Sequence, residues 1–214
     1  MFTDREQAGE LLAKELSFYK NNKDVVVVAV PRGGVPIGLK IAIELNAPLE
    51  LVLSKKIGHP FNKEYAIGAV TLKSRVLSDA ANEVSKEYIE EETLIIRAML
   101  NKRISEFYEN RVPMILTNKI VILVDDGIAT GNTLLSSIEL IQNENPAQII
   151  VAIPVASDSA LQKINNAKGV KNVICLLKPN FFQAVGQFYN DFYQVSDTEV
   201  KQLLQLANEN YIRR

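Results

Sequence analysis

The stretch Val121-Ile122-Leu123-Val124-Asp125-Asp126-Gly127-Ile128-Ala129-Thr130-Gly131-Asn132-Thr133 decides the fold. Its first four residues are apolar and too few for a helix, so they read as a strand buried on both faces. Two carboxylates stand at the strand's C-terminal end, where open α/β sheets bind their ligands. A loop of small residues then runs into a helix expected over about 131–142. Gly127 and Gly131 permit tight backbone conformations. Amide N–H groups at a helix start form an anion cradle, and the Thr130 and Thr133 hydroxyls add donors. Carboxylates beside such a cradle suit a ligand with both hydroxyls and phosphate, a sugar phosphate. Other phosphate motifs fail: no lysine follows the loop as in GxxxxGK[ST], and no glycine cluster spells GxGxxG.

The same apolar pattern recurs on either side. Segments 25–30, 49–53, 148–154 and 172–177 read as strands, with a further strand over 65–72. Helices fall between them. Thr3-Asp4-Arg5-Glu6 has capping-box spacing and opens a helix with Ala8, Leu11, Leu12 and Leu16 on one face. Others are expected from the glycines at 33 and 34 to about Asn46, over 83–110, 157–167 and 197–209. Short apolar strands alternating with helices imply an α/β fold: a doubly wound, mostly parallel sheet with helices on both faces. Between Lys55 and Tyr65 the pattern weakens, with Gly58, Pro60 and Asn62, and a mobile loop over 57–64 is expected. Phe181, Phe182, Phe188, Tyr189, Phe192 and Tyr193 crowd the last part of the chain. A single domain is expected, with a core over about 20–180 and a small hood built from the chain ends, 1–20 and 181–214.

Composition narrows the function. The 214 residues carry 24 Lys+Arg against 25 Asp+Glu, a formal net charge of −1, which argues against a nucleic-acid binder. One cysteine, Cys175, excludes an intrachain disulfide framework and any CxxC motif. One histidine, His59, argues against a histidine-based zinc site. His59 reads as a loop residue and Cys175 as an inert core residue in an apolar strand. No apolar run approaches the roughly 18 residues of a membrane span. The polar start, Met1-Phe2-Thr3-Asp4-Arg5-Glu6-Gln7, has no signal-peptide core. The expectation is a cytoplasmic protein with no membrane partner.

Residues 121–133 resemble the ribose-phosphate-binding motif of the type I phosphoribosyltransferases: an apolar strand, two acids, then Ala-Thr-Gly-x-Thr. Val30-Pro31-Arg32-Gly33-Gly34 is similar to that family's pyrophosphate loop, and Lys55-Lys56 to its basic pair ahead of a mobile loop. Phe2-x-Asp4-Arg5-x-x-Ala8-Gly9, Pro31-Arg32-Gly33-Gly34-Val35-Pro36 and Ile67-Gly68-Ala69-Val70 resemble one bacterial subgroup of that family. Together the matches cover most of the chain.

The resemblance implies a donor, 5-phosphoribosyl 1-pyrophosphate (PRPP), and roles for named residues. Ala129, Thr130, Gly131, Asn132 and Thr133 would hold the 5'-phosphate. Asp125 and Asp126 would hold the ribose hydroxyls, directly or through metal-bound water. The backbone at Arg32, Gly33 and Gly34 would hold the pyrophosphate, with Arg32, Lys55 and Lys56 supplying positive charge. Mg²⁺ is the implied cofactor, bound mostly by substrate and water. Arg32, Lys56, Asp125 and Asp126 are the implied catalytic set, with Glu64 a candidate general base if the loop closes. The implied reaction transfers phosphoribose to a nitrogen acceptor, a nucleobase, and releases pyrophosphate. Ala129 stands where the hypoxanthine-guanine branch has an acid, so the acceptor is not named by the sequence. Two alternatives stay open: a non-catalytic PRPP-binding regulator, and a ribose-phosphate hydrolase on the same fold. The expected partners are small molecules, and the expected assembly is a homodimer.

Overall fold

The computed structural model describes residues 1–109 and 111–212. Helix α1 (Arg5–Glu15) leads to β1 (Val25–Ala29), α2 (Gly34–Leu45) and β2 (Leu49–Leu51). A hairpin of β3 (Lys55–His59) and β4 (Asn62–Val70) follows, then β5 (Arg75–Leu77) and the long helix α3 (Lys86–Tyr108). The rest is β6 (Ile120–Val124), α4 (Asn132–Gln142), β7 (Gln148–Val155), α5 (Asp158–Asn165), β8 (Val170–Leu177) and α6 (Asp197–Ile212).

Five strands form one parallel sheet in the order β2-β1-β6-β7-β8. The chain moves outward from β1 to β2, then crosses back over β1 and builds β6, β7 and β8 on the other side. The winding therefore reverses between β1 and β6, and a crevice opens at their C-terminal ends. β1 is valine-rich because both of its faces are covered. Val25, Val27 and Ala29 share a core with side chains of α1, α2 and α6. Val26, Val28 and Val30 share a second core with α4 and α5. This is the doubly wound α/β architecture expected from the sequence.

Segment 55–79 departs from expectation. In place of a mobile loop and one strand, it forms a three-stranded antiparallel sheet, β3-β4-β5. Lys55 pairs with Val70, Lys56 with Ala69 and Ile57 with Gly68, and the turn is only Pro60 and Phe61. Ile57, Ile67 and Val70 are buried in the main core, while Asn62 to Tyr65 are exposed. A strand with one wet face shows no continuous apolar run, so glycine and proline dominated its reading.

The start of α1 also shifts by one residue. Asp4, not Thr3, is the cap: its carboxylate accepts the Gln7 N–H at 2.8 Å. The Gln7 side chain in turn accepts the Thr3 N–H at 2.7 Å. The two chain ends meet. Phe2 donates its N–H to the Phe188 carbonyl and accepts from Asn190, both at 2.8 Å, and the Thr3 carbonyl accepts from Asp191 at 2.9 Å.

Candidate functional site

Asp125 and Asp126 extend directly from the end of β6, beside the loop that follows β1. Val30 donates its N–H to the Val124 carbonyl at 2.9 Å, which ties the two strand ends together. Gly33 then lies against Asp126: a Cβ at Gly33 would fall 2.0 Å from its Oδ2. The peptide between Pro31 and Arg32 is cis. Asp126 donates its N–H to Oδ1 of Asp125 at 2.9 Å. Burial, and then the neighbouring Asp126, push the Asp125 carboxyl well above the usual carboxylate range. Burial also raises Asp126, against the opposing pull of the Arg5 guanidinium.

The cradle is built by one residue in a left-handed conformation. Gly131, at φ 78°, turns the chain into α4 where an L side chain would be strained. No side chain caps α4, so its leading N–H groups are open to a ligand. Ala129, Thr130, Asn132 and Thr133 are exposed around this turn. The loop's carbonyls are engaged from behind: Ser157 Oγ donates to Ala129 at 2.6 Å and Lys163 Nζ to Thr130 at 3.3 Å.

The structure separates the two adjacent lysines. Lys56 and Asn132 line one cavity of about 330 Å³, together with Gly68, Ala69, Ser136 and Glu139. Lys55 lies on the other face of β3, with Nζ 3.5 Å from the sulfur of Met99 on α3. Strand alternation is the cause. Arg32 is half-buried, with its guanidinium 3.7 Å from Asp197, which also accepts from Arg103 at 2.9 Å. Glu64 is exposed near the hairpin turn, and among the described residues no hydrogen bond or ion pair joins it to Asp125 or Asp126. His59 sits at the end of β3, where Nδ1 accepts the Phe61 N–H at 3.3 Å. Cys175 is half-buried on the edge strand β8, where it packs against the second core. Burial raises its thiol pKa, which favours the protonated form.

Three side chains at the crevice were not among the expected site residues. Arg5, only 5% exposed, donates from Nε at 3.0 Å and Nη2 at 2.9 Å to Oδ2 of Asp126. Its Nη1 donates to the Tyr193 carbonyl at 2.8 Å, and its guanidinium carbon lies 3.9 Å from the centre of the Phe192 ring. The buried Tyr189 donates its hydroxyl to the Asp126 carbonyl at 2.6 Å. Burial and the nearby Asp126 raise the Tyr189 hydroxyl pKa, so it stays a donor. The aromatic tail thus packs against the acid loop, with the Tyr189 ring between those of Phe2 and Phe192 in tilted contacts at 5.3 and 5.1 Å. The usable signal was Arg5 itself: a cation in the first turn of a helix opposes the macrodipole and calls for a partner elsewhere.

Residues 2–192 match the family model described as the phosphoribosyl transferase domain. The chain belongs to this family. A crystal structure of TT1426 from Thermus thermophilus aligns with a TM-score of 0.83 at 36% identity, over 95% of this chain and 97% of that one. Two relatives bear a phosphoribosyl transferase name in Mycobacterium tuberculosis, MT0597 of strain CDC 1551 / Oshkosh and Rv0571c of strain ATCC 25618 / H37Rv. Each is 35% identical over 218 residues, which is 99% of this chain and 48% of the relative. The chain therefore spans about half the length of these curated relatives. Among the described residues, no helix is long and apolar enough to cross a membrane.

Proposed function

We propose that the protein is a phosphoribosyltransferase that binds PRPP with Mg²⁺ and transfers phosphoribose to a nitrogen acceptor, a nucleobase, with release of pyrophosphate. One observation carries this reading: the acid pair, the uncapped helix start and the Gly33 loop converge on a single crevice where the sheet reverses its winding. In this reading Ala129 to Thr133 hold the 5'-phosphate through backbone N–H groups and the two threonine hydroxyls. Asp125 and Asp126 hold the ribose hydroxyls. The backbone of Arg32, Gly33 and Gly34 holds the pyrophosphate, and Arg32 and Lys56 neutralise it. Lys55 plays a lesser part, because it faces α3.

The donor set fits Mg²⁺. It offers two carboxylates, Asp125 and Asp126, and among the described residues no group of three or more His, Cys, Asp or Glu forms a metal cage. That matches an ion held mainly by substrate phosphates and water. When bound, the ion supplies positive charge for the departing pyrophosphate. The protein's own work is electrostatic and positional. The bond between the ribosyl carbon and pyrophosphate oxygen breaks as that carbon gains oxocarbenium character, and the acceptor nitrogen bonds to it. Asp125 and Asp126 orient the ring by its hydroxyls, and the cradle anchors its far end. In this reading the hairpin turn at Pro60 and Phe61 closes over the bound donor and excludes water, with Glu64 the candidate base when it closes. The two chain ends form the hood of one domain. A net charge of −1 supports small-molecule partners over nucleic acid, and the assembly is taken to be a cytoplasmic homodimer.

The experiment is pyrophosphate release from PRPP and Mg²⁺ against a panel of bases. Release that depends on a base supports the transferase. Tight PRPP binding without release identifies a regulator, and release with water alone identifies a hydrolase.

A further inference from the structure

The first turn of α1 sends one charged side chain into the crevice, and its surroundings are unusual for a surface helix. Arg5 is almost fully buried and stands at the positive end of its own helix. Both conditions disfavour a cation unless it is paired and fully hydrogen-bonded. It is paired: two of its nitrogens, Nε and Nη2, donate to Oδ2 of Asp126, and the third, Nη1, donates to the Tyr193 carbonyl. Its guanidinium carbon lies over the Phe192 ring, which makes a tilted contact with Tyr189. Tyr189 grips the backbone of the same acid through its hydroxyl. Asp126 is thus held at its carboxylate from the amino-terminal helix and at its carbonyl from the aromatic tail. Oδ1 lies outside the ion pair.

We infer that Arg5 is a positioning residue for ribose binding: it locks the Asp126 carboxylate from behind, keeps Oδ1 for the ligand and fastens both chain ends to that one acid. The inference rests on the reading of Asp126 as a ribose ligand. A planar fork is required for it. Lysine carries the charge but lacks the rigid fork of three nitrogens that engages Asp126 and the Tyr193 carbonyl. Phe192 serves as the flat support that keeps the fork in plane.

The test separates the two halves of the donor. Affinities for ribose 5-phosphate and for pyrophosphate, each with Mg²⁺, are measured by calorimetry on the unaltered chain, Arg5→Gln, Arg5→Lys and Phe192→Leu. Arg5→Gln should weaken ribose 5-phosphate by roughly tenfold or more, as for lost hydrogen bonds to a charged group, and leave pyrophosphate within about twofold. Arg5→Lys should recover part of the loss. Phe192→Leu, a swap at a partly exposed site that keeps Arg5, should weaken ribose 5-phosphate alone and by less. In an Asp126→Asn background, Arg5→Gln should add no further loss, because both changes act on one contact. Equal losses for both ligands, additive losses with Asp126→Asn, or tighter binding without Arg5 would overturn the inference. Failure of the unaltered chain to bind either ligand would overturn the proposed function with it. If Arg5→Gln does not fold, Arg5→Lys and Phe192→Leu decide by the same ligand split.

Discussion

Gly33 and Asp126 touch across the two loops of the crevice, so closely that a Cβ on Gly33 would lie 2.0 Å from Oδ2 and 2.5 Å from Cγ of the acid. The glycine's own φ of −62° is open to any residue, so the constraint is steric and comes from the acid alone. The carboxylate cannot swing away freely, because Arg5 holds the same oxygen. Gly33→Ala should therefore displace Asp126 or the loop and weaken PRPP binding by about tenfold or more, on the scale of one lost charged hydrogen bond. Calorimetry reads the affinity, and circular dichroism checks that the sheet persists. Unchanged affinity would mean that the contact is slack.

The hairpin gives a kinetic prediction. β3 and β4 are paired in register and carry Ile57, Ile67 and Val70 into the core. Amides of paired residues such as Lys56 and Gly68 should exchange slowly without ligand, and those of Phe61 and Asn62 at the turn quickly. PRPP with Mg²⁺ should slow exchange near the turn. Uniformly fast exchange over 55–70 in the free protein would contradict the paired hairpin.

The sequence carried most of the central sheet and less of what surrounds it. β1, β6 and β7 were legible because both of their faces are buried, and β-branched residues mark such strands directly. The acid pair and Gly131 were legible because strand, loop and helix start are adjacent in sequence. Arg5 was not, because its partners, Asp126 and Tyr193, are 121 and 188 residues away. The split between Lys55 and Lys56 was hidden until the segment was known to be a strand.

Away from the crevice, Glu50 on β2 is buried, accepting from the Tyr108 hydroxyl at 2.8 Å and from Arg111 at 2.7 Å. Burial pushes its carboxyl pKa up, and Arg111 only partly offsets this. A raised folded pKa means that the folded state binds the proton more tightly than the unfolded one. Stability from this group is then fully present below the unfolded pKa of about 4.3 and is lost as pH rises through the folded pKa. Glu50→Gln removes that loss. Denaturant titrations from pH 4 to 7 should show the variant gaining relative to the unaltered chain as pH rises. A relative change in the opposite direction would show that the Arg111 pair outweighs burial.

Ala129 offers no proton-exchanging group beside the cradle, where it is exposed. Hypoxanthine and guanine should therefore be poor acceptors. Their kcat/KM with saturating PRPP should fall below the ~10⁴ M⁻¹s⁻¹ floor of ordinary enzymes. Efficient turnover of either base would show that another group, such as Glu64, does that work.

The central claim is that the acid pair at the end of β6 binds the ribose of PRPP. Calorimetric titration of PRPP with Mg²⁺ into the unaltered chain and into Asp125→Asn/Asp126→Asn tests it directly. The expected result is saturable binding to the unaltered chain, weakened in the double variant by at least ~1–3 kcal/mol, while the fold persists. PRPP affinity that is the same in both proteins would contradict it.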